Sequence, residues 1–273
     1  MTSLFKRHIA LPQDHGSWVF ILSPLLIGIF AGGKYTASSF ALTVAAMAAF
    51  LIRQPVAVAV KAYAGRRSRK DLPAARFWMM LYGILILLAV GELAAVGDSY
   101  VLLLAAPGVL VFAWHLYLVS RRQERRQAGV EILATGVLSL AAPAAYWLGV
   151  GEYRPLGWAL WALTWLQSAA SIVYAYLRLE QRELKDLPPV DARLRLGRRA
   201  LLYTGFNLIV TLAAGLSGLL PLWIFVPYLL QFTETLYGAL ARPAVGFKPT
   251  AIGIRQLIVS TLFTVLFIVT WRF

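Results

Sequence analysis

Three stretches of this chain hold ionisable side chains at spacings that can do chemistry. The first is LPQDHGSW, Leu11 to Trp18. There Asp14 stands beside His15 with Gly16 following, and a carboxylate against an imidazole can work as an acid/base pair or grip a head group. Asp14 or Ser17 can equally cap a helix start, because their side-chain oxygens accept from unpaired N–H groups. The second stretch, Arg53 to Arg76, carries seven Lys/Arg against one acid, Asp71. Pro55 should kink or interrupt a helix there, although the apolar VAVAVKAYA lets the helix run on to about Ala64. Lys61 lies eight residues after Arg53, about 80° round a helix, so both can face one cavity with Arg66. Guanidinium forks match phosphate oxygens, which makes Arg53, Lys61 and Arg66 candidate ligands for a phosphate or diphosphate. A solvated basic loop against anionic lipid is the plainer reading.

The third stretch, residues 178–199, also carries seven Lys/Arg. Tyr174, Arg178 and Arg182 are spaced i, i+4, i+8 and should share a face, as should Glu180 and Glu183 at i, i+3. The first set can bind a substrate. The two carboxylates can hold Mg²⁺ against a substrate phosphate, or simply neutralise the neighbouring arginines. Further polar residues fall inside apolar runs: Glu92, His115, Glu131, Asn207, Gln231 and Glu234. Such groups are costly in lipid and face the protein interior. Glu234 and Glu131 are candidate proton sites for coupled transport, and pairing with an arginine or a helix–helix hydrogen bond is the structural alternative.

The elements that must position these residues follow from composition. Sixty per cent of the 273 residues are hydrophobic and 14% are charged, whereas a soluble domain carries about 25% charged residues. The expectation is one integral membrane domain over residues 1–273, with no soluble domain beside it. Nine apolar runs approach the ~20 residues a span requires: Ser17–Gly33, Thr36–Ile52, Phe77–Val96, Tyr100–Val119, Val130–Val150, Leu156–Leu177, Ala200–Leu216, Leu219–Ala241 and Ile252–Trp271. In lipid the backbone must satisfy its own hydrogen bonds, and runs this long and continuous suit helices rather than barrel strands. No cleavable signal peptide is evident.

Charge orients the bundle. With the N-terminus cytoplasmic, 23 of the 26 Lys/Arg fall in cytoplasmic segments, among them 53–76 and 178–199. That bias predicts a multi-pass protein of the plasma (inner) membrane, N-terminus inside and C-terminus outside. It also accounts for the net charge of +14 without a nucleic-acid partner. The absence of cysteine excludes disulfides, thiol catalysis and Cys-based metal sites.

Nine helices with long cytoplasmic loops after the second and sixth resemble the UbiA superfamily of intramembrane prenyltransferases. That resemblance implies Mg²⁺ and a prenyl diphosphate held by Asp-rich motifs, of the form NDxxDxxxD and DxxxD. This sequence departs from both. It reads RQPVAVAVKAYAG at the first and keeps only Glu180, Glu183 and Asp186 near the second. The chain more closely resembles the YwiC-like family of bacterial membrane proteins, by His15, Gly16 and Trp18 at the first helix and by Arg53 and Pro55 at the end of the second.

Together these observations predict an all-α, polytopic, UbiA-like bundle whose two basic loops converge on a cavity. In it Arg53, Lys61, Arg66, Tyr174, Arg178 and Arg182 would hold the anionic head of an isoprenoid or other membrane lipid, Asp14 and His15 would act as acid and base, and Glu180 and Glu183 would hold the metal. The chain would then bind, and as an enzyme transfer, that lipid. The alternatives are a proton-coupled small-solute transporter and a non-catalytic membrane subunit.

Overall fold

The structure, a computed structural model, describes residues 4–12, 15–121 and 128–273. Asp14, expected to be catalytic, and the basic residues Arg122, Arg125 and Arg126 lie outside them. The described chain is all-α. Its helices are α1 (Arg7–Ala10), α2 (Val19–Gly32), α3 (Ala37–Tyr63), α4 (Leu72–Val96), α5 (Ala106–Ser120), α6 (Ala128–Leu138), α7 (Ala141–Val150), α8 (Leu156–Gln181), α9 (Val190–Leu216), α10 (Phe225–Leu236) and α11 (Pro249–Thr270).

Seven helical segments among the described residues are long and apolar enough to cross a bilayer, with α6 and α7 forming one of them. This is a polytopic membrane bundle. The other two expected spans depart from the simple picture. The first is a shorter apolar helix, Gly16–Gly32. The second is assembled from a 3₁₀ turn (Leu222–Ile224), α10 and a π turn (Tyr237–Ala241). Pro221 and Pro227 bracket its start, and a proline cannot donate to the helical ladder. Pro55, by contrast, is buried within a continuous α3 that runs to Tyr63. The expected continuation past it is what forms.

Apolar helices in lipid gain little from the hydrophobic effect, so close approach and interhelical hydrogen bonds decide which pairs form. The α2–α7 contact shows the first device. Gly28 and Gly32, one helical turn apart, lie against Ala142, Ala145 and Gly149, and a Cβ at Gly149 would stand 2.9 Å from the Gly32 Cα. Only the missing side chains let these backbones meet. Elsewhere aromatics fill the space. Tyr228 meets Phe263 edge-on with centroids 5.0 Å apart, and Phe267 stacks on Trp271 at 5.7 Å. Leu87, Leu103, Leu110, Ile209 and Leu262 point outward, as lipid-facing side chains should. Of the spans, α8 is the most buried, and α4 and the segment containing α5 are the least. The most buried span is also the one that holds the most buried polar residues.

Candidate functional site

Residues Gln167, Ser171, Tyr174, Arg178 and Gln181 recur on α8 at intervals of three or four, the spacing that places side chains on one helical face. All five are buried. In an apolar bundle such a stripe must find partners within the protein, because an unpaired polar group in the interior costs about 1–3 kcal/mol. The partners come from α10 and α11. Gln231 donates through Nε2 to the Gln167 carbonyl at 2.9 Å and to Ser171 Oγ at 3.0 Å. Gln167 Nε2 donates to the same Ser171 Oγ at 3.1 Å. Gln256 Nε2 reaches the Ser171 carbonyl at 3.3 Å.

One turn further along, the stripe meets a charge pair. Arg255 of α11 grips Glu234 of α10 with two nitrogens, Nε to Oε1 at 2.6 Å and Nη2 to Oε2 at 2.7 Å. Tyr174 Oη donates to the same Oε1 at 3.0 Å. Glu234 lies seven residues from the end of the π turn, about 10 Å along the helix. A bidentate fork is the strongest form of this pair. It lets a carboxylate and a guanidinium share an apolar helix interface that neither would occupy alone. Of the expected proton sites, Glu234 therefore sits in a closed constellation. Glu131 is exposed at the start of α6 and accepts from Tyr176 Oη at 2.8 Å.

Between α8, α10 and α11, Ser171, Tyr174, Gln231, Glu234, Thr235, Gln256, Val259 and Ser260 line a cleft with a cavity volume of about 20 Å³, room for about one water molecule. Polar contacts continue beyond it, where Ser23 of α2 and Thr264 of α11 share a hydrogen bond of 2.6 Å. Further along α11 the aromatic group of Phe263, Phe267 and Trp271 follows.

Arg178, expected to bind substrate, is occupied by the backbone. It is 2% exposed. Its Nη1 donates to the carbonyls of Gly238 at 2.6 Å and Arg242 at 2.7 Å, and to Gln181 Oε1 at 3.0 Å. These carbonyls belong to the π turn and the residue after it, where Arg242 N bonds back five residues to the Tyr237 carbonyl. A helix end of this kind leaves acceptors without intrahelical donors, and Arg178 supplies them. Arg193 adds a bond to the Leu240 carbonyl at 2.8 Å. Gly238 is required there, since a Cβ would collide with the Tyr174 hydroxyl.

The first basic stretch is tied down in a different place. Lys6 and Arg67 both donate to Asp71, at 2.7 and 2.8 Å. Arg66 Nη1 donates to the Val119 carbonyl at the end of α5. Arg53 donates to the Phe50 carbonyl at 3.1 Å and lies over the Phe50 ring. Gln54 reaches the His8 carbonyl at 2.9 Å and Tyr82 that of Ala10 at 3.0 Å, strapping the N-terminal arm across α3 and α4. Lys61 is half-buried near the end of α3, and His15 opens the 3₁₀ turn that leads into α2. No residue of 53–76 lines the cleft. The cleft is thus lined from α8, α10 and α11 alone, and the contacts described for the first basic stretch are made elsewhere, to Asp71 and to the Phe50 and Val119 carbonyls.

Helix α8 ends at Gln181 with Arg182 as its cap; the Arg182 N–H still bonds to the Arg178 carbonyl at 3.1 Å and that of Glu183 to the Glu180 carbonyl at 3.2 Å. Glu180 and Glu183 are both exposed. Among the described residues, no group of three or more His, Cys, Asp or Glu side chains is placed to hold a metal ion. Sequence patterns alone did not single out Arg255, Gln256 or Ser260. The usable signal was Arg255 itself, an arginine six residues inside an apolar helix that begins at Pro249. It needs an acid within the bundle, and Glu234 is the intramembrane acid furthest from any flank.

The family model described as YwiC-like protein matches residues 11–146. No curated protein and no solved structure matches the chain. The Tyr174–Glu234–Arg255 constellation lies beyond the matched stretch.

Proposed function

Residues 11–146 place the chain in the YwiC-like family, and its long apolar helices make it a multi-pass membrane protein; from that premise we propose that it is a carrier for a small solute, coupled to protonation of Glu234. One observation carries this reading. Among the residues lining the cleft between α8, α10 and α11, Glu234 is the one carboxylate, and it is paired to an arginine on a neighbouring helix. Protonating Glu234 would remove the charge that holds Arg255 and loosen α10 from α11. Two states of one helix interface, selected by a proton, are what alternating access requires. The seam of Gln167, Ser171, Gln231, Gln256 and Ser260 gives a polar solute hydrogen-bonding partners along the interface.

The test uses proteoliposomes holding a pH-sensitive dye, challenged in turn with small cations, zwitterions and carboxylates. One class should change the internal pH, and Glu234→Gln should abolish the change. No response to any class would remove the carrier reading. The lipid-head reading has its own support in the basic end of the bundle and in Tyr174, the one expected substrate ligand that lines the cleft. On it, an isoprenoid with a phosphate-type head would dock there, with Mg²⁺ as the added counter-charge. Recovery of a single prenyl lipid from the purified protein, lost in Tyr174→Phe, would favour that function instead.

A further inference from the structure

One atom of the cleft stands out on chemical grounds. Gln231 Oε1 is buried and accepts no hydrogen bond from the described residues. Gln231 as a whole is 6% exposed. Its orientation is fixed, because Nε2 donates to the Gln167 carbonyl at 2.9 Å. Turning the amide over would set two acceptors against each other. A buried carbonyl without a donor costs about 1–3 kcal/mol, and this one belongs to a residue that lines the cleft. It asks for a ligand that brings positive charge or a proton.

The rest of the lining narrows the choice. Glu234 follows Gln231 at i+3, on the same face of α10. Ser171 and Ser260, each 7% exposed, and Thr235 present hydroxyl oxygens. An anion would meet a carboxylate and a bare carbonyl. A divalent ion would meet a single acid, and the described residues hold no group of three or more His, Cys, Asp or Glu side chains placed for a metal. An organic cation exceeds a cavity of about 20 Å³. An oxygen-lined, water-sized site with one carboxylate suits a small monovalent metal ion, since hard cations take oxygen ligands.

We propose that Gln231, Glu234, Ser171 and Ser260 form a Na⁺ site in which the ion and Arg255 compete for the Glu234 carboxylate. Arg255 acts as the tethered counter-charge of the empty site. Its side chain is 35% exposed against 12% for Glu234, so the arginine has room to withdraw and the acid does not. Na⁺, a proton and Arg255 are then three alternative partners that each neutralise one carboxylate, and a displaced Arg255 carries its own charge out toward solvent. This deepens the carrier reading by naming its cargo, and it rests on that reading only for transport, not for binding.

The experiment is Na⁺ titration of the purified full-length chain in detergent, followed by calorimetry, with choline holding the ionic strength constant. One Na⁺ per chain should bind saturably. Glu234→Gln should weaken binding by about tenfold or more, and Ser260→Ala by about threefold. Arg255→Gln should tighten it by about tenfold, because it removes the competitor. A merely structural arginine would give the opposite sign. Unsaturable heats in both wild type and Arg255→Gln would overturn the site, as would tighter binding in Glu234→Gln. If Na⁺ binds but no solute moves protons in proteoliposomes, the site stands and the carrier reading fails. Proton-coupled flux with no Na⁺ bound would keep the carrier and remove the site.

Discussion

Residues 53–76 and 178–199 hold seven lysines and arginines each, yet their surroundings differ. Around the first, Lys6 and Arg67 meet Asp71 while Arg53 and Arg66 reach nearby carbonyls, at a partly exposed end of α3 and α4. Around the second, Arg178 is buried against the π turn, and one turn deeper Tyr174 meets the Glu234–Arg255 pair. The difference lies in the helix each stretch follows. Polar residues on α3 are sparse, so its basic end remains a surface. Helix α8 carries a polar stripe along its length, so the bundle closes on it with two further helices. Equal charge in sequence therefore says little about electrostatic consequence; depth sets it.

That contrast can be broken by substitution. The largest effect should come from Arg178→Ala, which strips the Gly238 and Arg242 carbonyls of their donor. It should lower stability by about 3 kcal/mol, read as thermal unfolding of the purified protein in detergent. Should Arg178→Ala unfold at the wild-type temperature, the π turn does not depend on the arginine and the contrast collapses. Next comes Gly238→Ala. A methyl there must push the Tyr174 hydroxyl off Glu234, for a loss of about 1–3 kcal/mol, and tyrosine fluorescence should report the displaced ring. Glu234→Gln keeps the shape but gives up the charge of the fork. A loss of about 1–2 kcal/mol is expected, because Arg255 is partly exposed and can turn outward. The same substitution should abolish solute-driven pH change in proteoliposomes.

In the first stretch the same kind of change should do little. Asp71→Asn should cost about 1 kcal/mol, the upper yield of a surface ion pair, because Asp71 and its partners are only partly buried, and leave flux untouched. Arg69→Gln, at an exposed position, should stay within about 0.5 kcal/mol. A flux defect in Asp71→Asn would mean the two regions are coupled after all.

Much of this was legible in the chain. Apolar runs of sufficient length gave the helices, and the polar residues inside them marked Glu234 and Gln231 as interior groups. Two stripe positions of α8 marked by their spacing, Tyr174 and Arg178, do face inward. The stop of α8 at Gln181 was not legible, because helix ends shift by a residue or two with their capping partners. The partners of the basic residues were not legible either. A cation on a loop is satisfied by whatever acid or carbonyl is nearest, and that is a matter of neighbours.

The sequence by itself determined the solvent of this protein, its helical state and which residues could not face lipid, since each follows from the cost of placing a given group in hydrocarbon. Only the tertiary structure decided partners. Glu234 and Arg255 are brought together by α10 packing on α11, Arg178 meets carbonyls sixty and more residues away, and Gln231 keeps an oxygen that none of the described residues satisfies. Pairing across helices depends on close approach, and close approach is set by the small residues and rings of the whole bundle rather than by any local run of residues.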